Sequence, residues 1–227
     1  LMGSKRFLFR SAASLLNGLS ELSSKPLEKE DLKRFRQRDE LGQHLPGMVL
    51  VGSYVPLADL QLERILYAQQ CKGVEISVTR FASILDSHKV DSLMLDMEHE
   101  LRSHILDALA NCQTPVLFTS RGELGFLKTK DRLAFGRALA KLMAVLAGSV
   151  APRLGYVISK GGITTNMLLS DGLDCEVVHL EGQLLPGLSL VRTLSGLGIK
   201  GLPILTCPGN LGTPETLLDA WRLMEIC

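Results

Sequence analysis

Short apolar runs recur along this chain, and most of them end in small residues before a helical pattern begins. Gly47-Met48-Val49-Leu50-Val51-Gly52-Ser53 reads as a buried strand and its turn; from Pro56 onward, Ala58, Leu62, Ile65 and Leu66 fall on one helical face. Val74 to Val78 predicts a further strand, with a short helical stretch around Phe81 to Leu85. Met97, Leu101, Ile105, Ala108 and Leu109 form the apolar stripe of a helix. It feeds the strand Pro115-Val116-Leu117-Phe118-Thr119 and the turn Ser120-Arg121-Gly122-Glu123. Lys130 to Ala147 is the longest helical pattern, with Leu139, Leu142, Met143 and Leu146 inward and Gly148 placed to close it.

The same grammar continues to the end. Tyr156-Val157-Ile158-Ser159-Lys160 runs into Gly161-Gly162 and the hydroxyl-rich start of a helix, Ile163-Thr164-Thr165-Asn166. Asp174 to Leu180 is another β run, and Leu184 to Leu194, broken by Pro186-Gly187, reads as loop and short strand. Leu202-Pro203-Ile204-Leu205-Thr206 is a last strand, with Cys207-Pro208-Gly209-Asn210-Leu211-Gly212 as its turn; Thr213 is then placed as N-cap, Pro214 at the first helical position and Glu215 at the positive helix end.

Strands thus alternate with helices, and Val49-Val51, Val116-Phe118 and Val157-Ile158 are continuously apolar rather than alternating. Strands of that kind are covered on both faces, so the pattern predicts an α/β fold with a mostly parallel sheet flanked by helices. Ligands in such sheets sit beyond the carboxyl ends of the strands, where Ser53, Arg121, Gly161, Gly162 and Gly209 all fall.

The N-terminal part is different. Phe7, Leu8, Ala12, Leu15, Leu16 and Leu19 suit one amphipathic helix, or a short strand and then a helix, between Arg6 and Leu22. From Lys25 to Glu40 six basic and five acidic residues alternate, the pattern of a solvated helix or linker. We divide the chain accordingly, into a segment and linker at 1–45 and a domain at 46–227.

Composition narrows the function classes. With 25 basic and 24 acidic side chains in 227 residues, no global field recruits nucleic acid or an anionic membrane. The apolar run Leu142 to Pro152 contains Gly148 and Ser149 and is too short to span a bilayer. Five widely spaced cysteines without a C-x-x-C pair argue against both a disulfide framework and a structural zinc site, and point to a reduced, cytoplasmic setting. Asp96, Glu98, His99, Glu100 and His104 bring metal to mind, but the two histidines are five apart and do not share a helical face; a solvated surface is the reading, and no metal-ligating set is assigned. His179 reads as a satisfied strand histidine and Trp221 as packing.

The two glycine turns carry the candidate chemistry. Glycines at a strand-to-helix turn let successive backbone N–H groups converge on an anion, and two such turns facing one ligand make a nucleotide site. Each alone is equally a tight chain reversal. No Gly-x-x-x-x-Gly-Lys-Ser/Thr loop and no Gly-x-Gly-x-x-Gly after a first strand is present, which sets aside a P-loop enzyme and a dinucleotide-dependent oxidoreductase.

Five pieces in order, Phe7-Leu8-Phe9-Arg10-Ser11-Ala12-Ala13-Ser14, Val51-Gly52-Ser53, Thr119-Ser120-Arg121-Gly122-Glu123, Ser159-Lys160-Gly161-Gly162-Ile163-Thr164 and Cys207-Pro208-Gly209-Asn210-Leu211-Gly212, resemble the four-carbon acid sugar kinase family. The resemblance is to its C-terminal nucleotide-binding domain and covers nearly the whole chain. It implies that Ser53 touches the nucleotide, that Gly161, Gly162 and Thr164 line the phosphates, and that Gly209, Asn210 and Gly212 form the second nucleotide loop. ATP, accompanied by Mg2+, is the implied cofactor. It also implies a preceding substrate domain, absent here, that binds the small acid sugar; Leu1 fits a chain taken from within a longer polypeptide, and a homodimer is compatible with the sequence. Two positions depart from the family pattern: Ile163 stands where many members have an acidic residue, and Cys207 where they have lysine, which suggests a variant branch and keeps open a nucleotide- or ligand-sensing module without phosphotransfer.

Phosphoryl transfer needs positioning and charge stabilisation, and Lys160 and Arg121 are the candidate cations. The bland alternatives are a strand-end lysine reaching for solvent and a turn arginine pairing with a neighbour such as Glu123. Thr164 and Thr165 either contact phosphate or magnesium, or cap their helix.

The cysteine reading has a direct test. All five thiols are expected to react with a thiol reagent in denaturant without prior reduction, and a count below five would reveal a disulfide.

Overall fold

The computed structural model describes residues 26–121, 129–194 and 201–225. The helix expected between Arg6 and Leu22 lies outside them, as do Gly122 and Glu123. The seven strands are β1 (Gly47–Val51), β2 (Cys71–Ile76), β3 (Thr114–Thr119), β4 (Tyr156–Lys160), β5 (Val178–Leu185), β6 (Leu188–Thr193) and β7 (Pro203–Cys207), in one sheet of order β2-β3-β1-β4-β7-β6-β5. The pairs β2–β3, β3–β1, β1–β4 and β4–β7 are parallel; β6 is antiparallel to both β7 and β5. The α/β expectation, with a mostly parallel sheet flanked by helices, therefore stands.

Every residue of β1 and β4 is buried, because both faces of these central strands are covered. Val49, Val51, Val116, Ile158 and Leu205 face α1 (Lys29–Phe35), α2 (Pro56–Leu66) and α7 (Thr216–Glu225). Met48, Leu50, Leu117, Val157 and Ile204 face α3 (Val78–Leu85), α4 (Val90–Ala110) and α5 (Thr129–Val150). The inward positions of α4 and α5 are those the stripe indicated: Met97, Leu101 and Ile105, then Leu139, Leu142, Met143 and Leu146. By length and composition α5 is the helix among the described residues that would suit a membrane, and here half of its apolar window is buried inside the protein. His99 and His104 lie on the exposed side of α4, where Glu100 pairs with Arg80 at 2.7 Å.

Four boundaries differ from the sequence reading. The second strand is Cys71–Ile76 rather than Val74–Val78, because Ser77 accepts a hydrogen bond from the Arg80 N–H and caps α3, which makes Val78 helical. Residues 178–193 form one hairpin around Pro186-Gly187; its outer strand β5 is mostly half-buried, with Leu184 alone in it fully buried, so an apolar count could not mark its ends. Helix α5 runs through Gly148 to Val150, since that glycine serves close packing on the backbone of Gly172 rather than termination. Helix α7 begins at Thr216. Thr213, Pro214 and Glu215 form a turn before it, in which Thr213 donates its N–H to Thr216 Oγ1 (2.8 Å) and its carbonyl accepts from Thr216 N–H (3.1 Å).

The charged segment is more than a solvated linker. Lys29, Glu30, Lys33 and Arg34 are exposed, but Leu32 and Phe35 are in the core and the Arg36 side chain is 6% exposed. Its guanidinium donates to the carbonyls of Leu45 and Met224 and to Glu225 Oε2 (3.0 Å), and lies over the Tyr156 ring. Glu225 Oε1 accepts from Tyr156 Oη (2.7 Å) and Thr114 Oγ1, which in turn accepts from Trp221 Nε1. Burial, reinforced by Glu225, raises the Tyr156 phenol well above its ordinary pKa, so it stays a donor. This network lies at the amino-terminal end of the sheet and holds Trp221 as a packing residue; His179 pairs with Glu181 on β5.

Cys71, Cys112, Cys175 and Cys207 are free thiols. Replacing Glu225 by alanine would strand the buried Arg36 charge, and a loss of about 3 kcal/mol is expected in urea denaturation. Retained stability would mean that the network is not a structural anchor.

Candidate functional site

The chain leaves β1 for β2 at one edge, returns beside β1 as β3, and then crosses to β4 on its other side. The connection after β1 leads into α2 on one face of the sheet, and the connection after β4 leads into α6 (Gly162–Met167) packed against α5 on the other. Where those two connections part, at the carboxyl ends of β1 and β4, is the switch point at which a sheet of this order places a ligand crevice.

The glycine turns converge there and are stitched together by backbone bonds. Gly52 N–H donates to Lys160 O (3.2 Å) and Gly161 N–H donates to Cys207 O (2.9 Å). Gly161 has φ +114°, a value that disfavours a side chain. A β-carbon on it would also come within 3.5 Å of Ser53 N and 3.3 Å of Thr164 Oγ1, and one on Gly209 would press on Ser53 Oγ. Ser53 thus sits between the two glycine turns. Gly162 differs, because nothing lies within 4 Å of where its β-carbon would be.

The hydroxyls divide their roles. Thr165 Oγ1 donates back to Ser159 Oγ (2.9 Å) and Gly161 O (3.0 Å), which pins the turn to β4. Thr164 is 3% exposed and packs its side chain over Gly52. No side chain caps α6, so its first N–H groups stay available beside the open space at Gly162.

The two candidate cations are both near the crevice but are held differently. Arg121 donates to Ser53 O (3.0 Å), pairs with Asp59 (2.9 Å) and lies 5.5 Å from the Tyr54 ring centroid, so it braces the β1–α2 connection. Lys160 does not reach for solvent. It is 1% exposed and its Nζ donates to Pro208 O (3.0 Å), beneath the second glycine loop. Burial lowers its pKa, with the neighbouring Cys207 opposing weakly; burial in turn pushes the Cys207 thiol up to about 12. Asn210 and Gly212 are on the exposed rim of that loop, and Gly212 has φ +93°. Ile163 is also exposed on the rim.

Sequence reasoning passed over Gln61. It is 1% exposed and donates to Leu211 O (3.1 Å) and Thr213 O (2.6 Å) from the buried face of α2. A glutamine interleaved with Ala58, Leu62 and Ile65 on an apolar face was the available signal, since a buried amide needs partners. Thr119 was quoted only as part of a motif, yet its buried hydroxyl has no hydrogen-bond partner among the described residues.

Two further cavities, of about 490 and 400 Å3, lie at the opposite end of the strands, around Pro46 and Leu109. Neither includes a residue of the glycine turns.

Comparison with known proteins agrees with this fold. Two crystal structures of a domain of unknown function (DUF1537) from Bordetella bronchiseptica, each described as a domain-swapped dimer with bound citrate, share the fold at 19% identity; they cover 79% of this chain, with TM-scores of 0.65 and 0.57. This chain spans 41% and 39% of the length of those structures. No curated protein matches. The profile of the nucleotide-binding C-terminal domain family matches residues 48–217, which take in β1, the crevice and both glycine loops. The chain therefore belongs to the nucleotide-binding C-terminal domain family.

Proposed function

We propose that this domain binds ATP, accompanied by Mg2+, in the crevice between the β1 and β4 connections, and is the nucleotide-binding part of a kinase acting on a small acid sugar of the erythronate or threonate class. The observation that carries the reading is the meeting of Gly161, Ser53 and Gly209 at the switch point, in a chain of a nucleotide-binding family. The uncapped N–H groups of α6 and the open space at Gly162 suit phosphoryl oxygens, and Gly161 and Gly209 leave room for a backbone-only approach. Ser53, Thr164, Asn210 and Gly212 stand close enough to these turns to orient the ligand.

Bound nucleotide supplies the transferable phosphoryl group. What this chain's own residues do is hold and orient it, with Arg121 and Lys160 lending positive charge to the two loops. Magnesium would enter with the phosphates. The acid sugar would be held by a separate substrate domain of the same polypeptide, in the cytoplasm, and the swapped dimers of the Bordetella structures make a homodimer a natural assembly. A ligand-sensing module without transfer is the second reading, favoured by Ile163, an exposed apolar side chain at the rim where a carboxylate would be expected.

Calorimetry with ATP, ADP and NAD, with and without magnesium, tests the core of this reading. Adenine nucleotide is expected to bind and NAD not to; binding of neither ATP nor ADP would overturn it. Residues 1–227 alone are expected not to phosphorylate erythronate or threonate, and turnover by this chain would show that no further domain is needed.

The two glycines separate binding from folding. Gly162→Val meets open space and should leave the melting temperature nearly unchanged while weakening ATP binding by ~10-fold, about 1.4 kcal/mol. Gly209→Val must displace Ser53, so it should lower both affinity and stability, the latter by about 1 kcal/mol or more. Wild-type affinity in folded Gly162→Val would remove the α6 turn from the site.

A further inference from the structure

Two buried polar side chains from different elements point at the same loop. Lys160 at the end of β4 donates to Pro208 O, and Gln61 in α2 donates to Leu211 O and Thr213 O. Both residues are 1% exposed, and neither donor is paired with a carboxylate. Burying an ammonium and a primary amide costs more than burying leucine or methionine, so their presence under one loop calls for a reason beyond filling space.

The reason lies in peptide geometry. No peptide bond among the described residues is cis, and in a planar trans peptide the carbonyl and the next residue's N–H point in opposite directions. With the Pro208 carbonyl drawn down onto Lys160, the Gly209 N–H points up and away from the sheet. With the Leu211 carbonyl drawn onto Gln61, the Gly212 N–H points outward as well. Neither N–H has a partner among the described residues. Gly209 lies against Ser53, which itself lies against Gly161, so this loop borders the crevice.

We infer that Lys160 and Gln61 are positioning residues that hold the second glycine loop by its carbonyls, and thereby aim the Gly209 and Gly212 N–H groups at the phosphoryl oxygens of the ligand. The inference rests on the nucleotide reading above and adds a division of labour to it. Lys160 acts through the loop, while the backbone of the loop makes the contact. Turning carbonyls inward also removes their negative ends from the crevice, where they would repel an anion.

Amide hydrogen exchange on the full chain tests this, with tripolyphosphate, ATP and adenosine as probes. Tripolyphosphate and ATP are expected to slow exchange at Gly209 and Gly212 by ~10-fold or more, and adenosine is not. Gln61→Glu is nearly isosteric but sets a carboxylate against two carbonyls. It should weaken tripolyphosphate ~10-fold while leaving adenosine affinity within about 2-fold, and Lys160→Met should do the same, with Lys160→Arg restoring part of the loss. ATP binding to the wild-type chain without protection at these two amides would overturn the inference and leave the nucleotide reading intact. Protection by tripolyphosphate in a chain that ignores ATP would do the reverse. Wild-type tripolyphosphate affinity in folded Gln61→Glu would also overturn it, and if neither variant folds, the wild-type exchange pattern decides alone.

Discussion

Burial of β1 and β4 on both faces is the constraint from which the rest of this molecule follows. Strands covered above and below can meet solvent only at their ends, so polar chemistry is forced to the two rims of the sheet. The rims are used differently. At the amino-terminal rim Arg36, Glu225, Tyr156, Thr114 and Trp221 are joined in one hydrogen-bonded network. At the carboxyl rim, among the described residues, groups are left with capacity to spare: uncapped helix N–H groups, a partnerless Thr119 hydroxyl, and an ammonium with one carbonyl. Polar capacity is not confined to one rim, since His44 Nδ1, beside the amino-terminal network, also lacks a hydrogen-bond partner among the described residues.

The site lies in the centre of the sheet because of chain order. The crossing from β3 to β4 sends successive connections to opposite faces, and no side-chain event is needed to open the gap between them. What side chains contribute is spacing. Thr164 over Gly52, Ser53 between Gly161 and Gly209, and Thr165 tied to Ser159 set the three turns at fixed separations.

Much of this was legible in the sequence. Uniform apolar runs such as Val49-Leu50-Val51 disclose two-sided burial directly, and the glycine turns after β1, β4 and β7 are where the pattern put them. Three things were not legible, each for a physical reason. The hairpin at 178–193 is buried unevenly, its outer strand being mostly half-buried, so its periodicity is weak. Gly148 is ambiguous in one dimension, because termination and close packing demand the same residue. The depth of a charge depends on what covers it: Arg36 sits in a run of charges that is otherwise solvated, and Lys160 ends a strand. Nothing local distinguishes either from an exposed neighbour, whereas Gln61 on an apolar helix face did carry a readable mark.

Lys160 also sets what the protein can become. A buried ammonium with a single carbonyl acceptor is a standing debit against the folded state, one that methionine or leucine in the same place would not incur. Selection or engineering for heat resistance alone would therefore tend to erase it, along with the anchor beneath the second glycine loop. In homologous chains that have lost the lysine, thermal robustness and a slack loop are expected to travel together.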